Sequence, residues 1–219
     1  MNPFSELFSA GQIIVSCQAD PNTPTNFVEM IVAFALSAEM GGAGALRLNS
    51  AEHVAAVRSR TKLPIIGIQK HISTDAPVLI TGDHHKIPPI ISAGAEVIAF
   101  DATIRERPSS LEAIIGAIHD NGATALADIR DLGDVERTLS LGVDAIATTL
   151  SVIDLPEYVP DIQLIKDIKR ECDLPIIAEG NFWTPDDVKR AFDAGAHAVV
   201  IGSAITRPWR ITEYYVRNL

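Results

Sequence analysis

The chain has 219 residues, 47% of them hydrophobic, and its 18 Lys and Arg against 28 Asp and Glu give a formal net charge of −10. This length and composition suit one α/β domain with a sizeable core and argue against a disordered chain. So acidic a chain is not expected to bind nucleic acid in general. Cys17 and Cys172 have neither CxxC nor metal-ligand spacing, which excludes a disulfide scaffold. No apolar run approaches the roughly 20 residues of a membrane span, so we expect a cytoplasmic protein without a membrane partner.

Short apolar runs alternate with longer amphipathic stretches along the whole sequence. The predicted strands are 13–18, 45–48, 64–70, 97–101, 123–128, 145–149, 175–179 and 198–202. The predicted helices are 26–40, 50–60, 84–93, 109–121, 131–141, 161–172, 184–194 and 203–217. Strands this uniformly apolar belong in a parallel sheet that is covered on both faces. Eight such units predict an α/β protein with a single (β/α)8 barrel, a TIM barrel, over residues 1–219.

Glycines and capping residues mark the ends of the predicted helices. A glycine suited to the left-handed conformation follows five of them: Gly41, Gly94, Gly122, Gly142 and Gly195. Ser50, Asp131 and Thr184 are candidate N-caps, and Pro185 suits a first helical turn.

Polar side chains end seven of the eight apolar runs. They are Gln18, Arg47 with Asn49, Lys70, Asp101, Asp128, Thr148 with Thr149, and Glu179. In a barrel of this kind the carboxyl ends of the strands form one rim, where the chemistry takes place. Burying such groups beside an apolar core is costly unless they pair or act, so this convergence favours a functional site over separate structural ion pairs.

The last two strands carry the signals for an anion site. Glu179-Gly180-Asn181 ends the seventh predicted strand, and Gly202-Ser203 connects the eighth to a helix. Phosphate sites in these barrels are commonly built from these two loops. Glycine lets backbone approach a phosphate closely, and Arg207, one turn into the predicted final helix, adds a fork of donors.

Lys70 is the candidate acid–base group, since a desolvated ammonium has a lowered pKa and serves as a base or a Schiff-base amine. Glu179, on a distant strand, would approach a ligand from another side. The alternative is an ion pair of Lys70 with Glu179 or Asp128 that holds strand ends together. Asp83-His84-His85 looks like a metal cluster but lacks a known ligand spacing, so no metal is predicted.

The ordered motifs at barrel spacing resemble the bacterial N-acetylmannosamine-6-phosphate 2-epimerases over nearly the whole chain. A characteristic stretch is Leu46-Arg47-Leu48-Asn49-Ser50, and the matching segments are 14–18, 38–43, 46–50, 64–70, 99–108, 148–151, 177–180 and 202–208. The resemblance implies a (β/α)8 fold and inversion at C2 of an N-acetylhexosamine 6-phosphate in sialic acid catabolism. It also implies a homodimer and no cofactor.

Site roles follow from the same resemblance. Lys70 and Glu179 would be the catalytic acid–base groups, and Gln18, Arg47 and Asp128 would orient the sugar. The phosphate would be held by Gly180, Asn181, Gly202, Ser203 and Arg207. The chain departs from the family pattern at His71-Ile72, Val152-Ile153 and Asn181. Two other functions fit the residues: a Lys70 Schiff-base aldolase or lyase acting on a phosphosugar, and a phosphosugar-binding regulatory protein without catalysis.

Overall fold

Eight parallel strands close into a barrel in the computed structural model, which describes residues 2–70 and 78–219. The strands are β1 (Gln12–Cys17), β2 (Ala45–Asn49), β3 (Ile65–Ile68), β4 (Val97–Asp101), β5 (Thr124–Asp128), β6 (Ala145–Ala147), β7 (Ile176–Glu179) and β8 (Ala198–Ile201). Each strand pairs with its successor in the chain, and β8 pairs with β1. The predicted (β/α)8 fold is confirmed.

The chain has helices before β1, between successive strands on the outside of the barrel, and after β8. They are α1 (Pro3–Leu7), α2 (Val28–Met40), α3 (Ala51–Arg58), α4 (Ile87–Ser92), α5 (Leu111–Asp120), α6 (Leu132–Leu139), α7 (Ile162–Glu171), α8 (Pro185–Asp193), α9 (Ser203–Thr206) and α10 (Pro208–Arg217). Short 3-10 turns cover His84–Lys86 and Ser151–Asp154. None of the helices in the described ranges is long and apolar enough to cross a bilayer.

Local sequence signals explain most helix ends. Ser50, Asp131 and Thr184 each accept a hydrogen bond from a backbone N–H in the first turn of α3, α6 and α8, as predicted. Four of the five helix-end glycines have positive φ. Gly41 was wrongly predicted to be left-handed: its φ is −78°, and Gly42, at φ +90°, makes the turn instead.

The strands bury side chains on both faces. Residues such as Ile14, Ile66 and Leu126 fill the barrel interior, while Val15, Leu46 and Val199 belong to the layer between the strands and the helices. This two-sided burial accounts for the continuous apolar runs that identify the strands in the sequence.

Helix α1 was not predicted, and it adds to the core inside the barrel. Phe4 and Phe8 are completely buried with the barrel-interior residues, and their rings stack with centroids 4.4 Å apart. Asn2 caps the helix through its side chain. Five residues are too few for a periodic pattern, and the Asn2-Pro3 start was the available signal.

Three predicted elements need correction, and two of them bear on the site. β3 ends at Ile68 and β6 at Ala147, so Lys70 and Thr149 lie in the loops beyond their strands. The predicted helix 203–217 is two helices, because Arg207 takes a non-helical conformation before Pro208. The departure at His71-Ile72 falls outside the described residues.

Candidate active site

A cavity of about 470 Å³ opens where the strands end at their carboxyl side. Nine of the ten predicted site residues line it: Gln18, Arg47, Lys70, Glu179, Gly180, Asn181, Gly202, Ser203 and Arg207. The tenth, Asp128, is completely buried and does not reach the cavity. One cavity therefore collects residues from β2 and β7 and from the segments that follow β1, β3, β7 and β8.

Arg47 forms the electrostatic centre of the site. Its guanidinium is 1% exposed and binds the Asp128 carboxylate through both terminal nitrogens, with Nη1 3.2 Å from Oδ1. Nη1 also donates to Glu179 Oε2 at 2.7 Å. Asp128 accepts a further hydrogen bond from Thr149 Oγ1 at 3.0 Å. Asp128 thus lies behind Arg47, outside the cavity lining, and holds the guanidinium in place.

Two carboxylates share this one buried guanidinium, so the second carboxylate is poorly compensated. Burial raises the pKa of Glu179 to about 7, against the opposing attraction of Arg47, and the charge of Asp128 raises it further. Burial also raises the pKa of Asp128, which Arg47 opposes. Glu179 is therefore a carboxyl group that can give or take a proton near neutral pH.

Lys70 is the second group whose ionisation is shifted toward neutrality. Burial lowers the pKa of its ammonium, and the positive charge of Arg207 lowers it further. Among the described residues the ammonium makes no ion pair, and Arg47 is the cation that binds both Glu179 and Asp128. The structural ion pair considered for Lys70 with either carboxylate is thus absent from the described residues.

Backbone donors gather at the ends of β7 and β8. None of the N–H groups of Gly180, Asn181, Gly202 and Ser203 donates to another described residue, and all four residues line the cavity. Gly180 has φ +111°, and a Cβ there would lie 2.8 Å from Val152. Only glycine fits this position, and having no side chain it lines the cavity with its backbone.

Arg207 and Asn181 are held by their surroundings in different ways. Arg207 donates to Ser203 Oγ at 2.9 Å and to Asp20 Oδ1 at 3.0 Å, so its fork stays at the cavity mouth. Asn181 directs its side-chain amide away, to the carbonyl oxygens of Pro156 and Val159. Its side chain secures a loop, and its backbone N–H is the part available to an anion.

Sequence reasoning missed other lining residues. Ser16, on β1, accepts a 2.8 Å hydrogen bond from Gln18 Nε2, which orients the Gln18 amide. An apolar wall is formed by Ile68, Leu79, Ile80, Leu150, Val152, Phe182, Trp183 and Val200. Most of these lie in loops without periodicity, so the sequence offered no signal for them.

Asp83, His84 and His85 are the described cluster with potential metal-ligand atoms, which lie within 4.8 Å of one another. Asp83 Oδ1 caps the 3-10 turn by accepting from the His85 N–H, and His84 Nδ1 is 2.8 Å from Ser109 Oγ. These contacts occupy much of the cluster's bonding capacity, and we assign no metal to it.

A closed parallel barrel with ionisable groups converging on its carboxyl rim defines a protein of the TIM-barrel enzyme class. A family model described as "NanE: Putative N-acetylmannosamine-6-phosphate epimerase" matches residues 31–219. The chain belongs to this family, which confirms the predicted resemblance.

Individual relatives agree with the family model. A Clostridioides difficile (strain 630) protein named "Putative N-acetylmannosamine-6-phosphate 2-epimerase" is 37% identical over 95% of this chain and 96% of its own length. A protein of the same name from Vibrio vulnificus (strain CMCP6) is 40% identical over 94% and 92%. A solved structure of the N-acetylmannosamine-6-phosphate 2-epimerase from Clostridium perfringens superposes with a TM-score of 0.92, at 33% identity, covering 99% of this chain and 96% of that one.

Proposed function

We propose that this protein interconverts N-acetylmannosamine 6-phosphate and N-acetylglucosamine 6-phosphate by removing and returning the C2 proton, in the catabolism of sialic acid and other amino sugars. Family membership supports the substrate. The observation that carries the chemistry is that Lys70 and Glu179 line one cavity, with their pKa values shifted toward neutrality from opposite directions.

The reaction needs an open-chain sugar, because the C2 proton becomes acidic only beside the C1 aldehyde. A base takes this proton, and the C–H electron pair moves into a C1–C2 enolate whose negative charge rests on O1. Return of a proton to the opposite face of C2 restores the aldehyde with inverted configuration. Electrons and atoms balance without an oxidant or a metal, so the reaction requires no cofactor.

Lys70 and Glu179 are suited to the two proton transfers. β3 and β7 are four strands apart in a ring of eight, so groups from their ends approach a central ligand from opposite sides. One group acts as the base while the other supplies the proton, and the reverse reaction exchanges their roles. Because both groups titrate, the rate should rise through about pH 7, where Glu179 ionises, and fall again as Lys70 loses its proton.

The phosphate is assigned to the backbone donors of Gly180, Asn181, Gly202 and Ser203 together with Arg207. Charge-assisted hydrogen bonds to the guanidinium would fix one end of the sugar, and Gln18 with Arg47 would orient the other. Asp128 acts through Arg47, which it holds in place. This local set of donors allows an acidic protein to bind an anionic metabolite.

We further propose that the protein is a cytoplasmic homodimer. Helix α10 has no buried residue in the single chain, although it carries the exposed Trp209, Tyr215 and Val216. An apolar surface of this kind is typical of a subunit contact. Light scattering of the purified protein should give about twice the 23.5 kDa chain mass, and a monomer would contradict the proposal.

The activity is tested by incubating the purified protein with N-acetylmannosamine 6-phosphate and following both epimers by NMR. We expect an equilibrium mixture of the two phosphosugars, approached from either side, and little turnover of unphosphorylated N-acetylmannosamine. Tight binding of the phosphosugar without any epimer would instead support the regulatory protein.

A Schiff-base aldolase or lyase also needs a lysine with a lowered pKa, which Lys70 has. Treatment with borohydride in the presence of phosphosugar distinguishes this alternative. An imine would be reduced to a permanent adduct on Lys70, detected by mass spectrometry and absent from Lys70→Met. For the epimerase we expect no adduct.

A further inference from the structure

Lys70 lies two residues beyond the end of β3, where the backbone ladder with neighbouring strands has stopped. The register of β3 with β4 extends only over Ile66 and Gly67. In place of ladder partners, the next two N–H groups, of Gln69 and Lys70, bind side chains that come from opposite sides. Lys70 also forms an isolated antiparallel bridge with Ile80, so the two side chains add to a short backbone contact in fixing its position.

Asn49 holds Lys70 from the side of β2. It is the last residue of that strand, and its Oδ1 accepts the Lys70 N–H at 2.8 Å. The chain turns immediately afterwards at Ser50, which has φ +69° and ψ 151°, a conformation that is essentially restricted to glycine and costs about 1–3 kcal/mol. Ser50 nevertheless donates its N–H to the Ile68 carbonyl at 2.9 Å, so the strained turn ties Asn49 to the end of β3.

Thr81 holds the same segment from the side of β4. It is buried at φ +45°, rarely adopted by a β-branched residue. Its Oγ1 accepts the Gln69 N–H at 3.0 Å, and its own N–H donates to the Gln69 carbonyl at 2.7 Å. The preceding residues are anchored to β4, where Asp101 Oδ2 accepts the Leu79 N–H at 3.1 Å.

We propose that Asn49 and Thr81 are positioning residues that fix the backbone of Lys70 so that its ammonium meets C2 of the sugar. The inference rests on the proposed function, in which Lys70 moves the C2 proton. Neither residue lines the cavity, so both act through Lys70 and not on the ligand. A displacement of about 1 Å at a reacting group can cost on the order of 100-fold in rate.

The first test removes the acceptor at position 49. We expect Asn49→Ala to lower kcat by about 10- to 100-fold while KM for N-acetylmannosamine 6-phosphate stays within about twofold, since Asn49 does not line the cavity. Asn49→Leu keeps the side-chain volume and serves if the alanine variant does not fold. Asn121→Ala, which removes an amide that bonds within its own helix, is the matched control and should behave as wild type.

Rescue separates positioning from packing. Asn49→Asp retains an oxygen acceptor and should recover most of kcat at its own pH optimum. The alkaline limb of its pH–rate profile should shift to higher pH, because the added carboxylate stabilises the ammonium form of Lys70. Likewise, Thr81→Ser keeps the hydroxyl and should retain kcat. The isosteric Thr81→Val removes the hydroxyl and should lower kcat.

Two outcomes would overturn the inference. One is a wild-type kcat both in the Asn49→Ala or Asn49→Leu variant and in the Thr81→Val variant. The other is a loss of kcat in Asn49→Asp as large as that in Asn49→Ala, or a loss in Thr81→Ser as large as that in Thr81→Val. Either result would show that the oxygen acceptor does not position Lys70. A wild-type chain that does not epimerise the phosphosugar is a different result and contradicts the proposed function itself.

Discussion

Arg47 and Lys70 are two cations on neighbouring parts of one rim, and the structure treats them in opposite ways. Arg47 is almost fully buried and its terminal nitrogens are committed to Asp128 and Glu179. Lys70 makes no ion pair among the described residues, and its surroundings fix its backbone instead.

This difference separates a structural cation from a reactive one. The carboxylates of Asp128 and Glu179 raise the pKa of Arg47, so the guanidinium stays charged. Burial and the neighbouring cations lower the pKa of Lys70. A guanidinium is also a poor proton carrier because its intrinsic pKa exceeds about 12. The rim thus combines a fixed positive charge with a group whose proton can move.

Removing the ammonium of Lys70 tests whether this cation is the reactive one. We expect Lys70→Met to lower kcat by about 10²- to 10⁴-fold without reducing the free energy of unfolding, because no ion pair within the described residues is lost. Steady-state kinetics and urea denaturation measure the two quantities. Lys70→Arg is the control for charge, and it should be equally inactive because it does not release its proton. Substantial turnover by either variant would remove Lys70 from the mechanism.

Removing the charge of Arg47 should lower the free energy of unfolding. Arg47→Met leaves Asp128 buried without a cationic partner, which costs about 3–5 kcal/mol, and urea denaturation at pH 7 should show this loss. The double variant Arg47→Met with Asp128→Leu removes both charges and should recover most of it. If Arg47→Met were as stable as Lys70→Met, the distinction between the two cations would be wrong.

Glu179 should make the free energy of unfolding depend on pH. Its pKa is about 7 in the folded chain against an ordinary value of about 4.5 for a glutamate, so between these values the folded state holds a proton that the unfolded state lacks. The resulting stabilisation is present below about pH 4.5 and is lost as pH rises through 7. Relative to Glu179→Gln, the wild type should therefore lose up to about 3 kcal/mol between pH 5 and pH 8. Parallel stability curves for the two proteins would contradict the raised pKa.

The smallest expected effect concerns Arg207, whose guanidinium is divided between Ser203 and Asp20. Arg207→Ala should raise KM for the phosphosugar by about 10- to 100-fold, the equivalent of one charge-assisted hydrogen bond of about 1.5–3 kcal/mol, with a smaller effect on kcat. Titration with inorganic phosphate should show the same weakening. An unchanged KM would place the phosphate elsewhere in the cavity.

The barrel was predictable because buried parallel strands leave continuous apolar runs and helix ends carry glycines and caps, as at Thr184. Strand-end residues such as Arg47 and Lys70 follow from the same pattern. The different roles of Arg47 and Lys70 could not be predicted from this pattern, because they depend on which carboxylates reach Arg47 across the barrel. The position of Asp128 behind Arg47 and the strained Ser50 and Thr81 arise from tertiary contacts that have no local signature, whereas the break at Arg207 has one in Pro208.

In the proposed mechanism the C2 proton leaves the sugar and is replaced from solvent-exchangeable groups in this cavity. Proton NMR of N-acetylmannosamine 6-phosphate incubated with the wild-type protein in D2O tests it directly. We predict that N-acetylglucosamine 6-phosphate appears with deuterium at C2, and that Lys70→Met abolishes its formation. Epimer that retains its original C2 proton, or bound sugar that shows neither epimer nor exchange, would contradict the account.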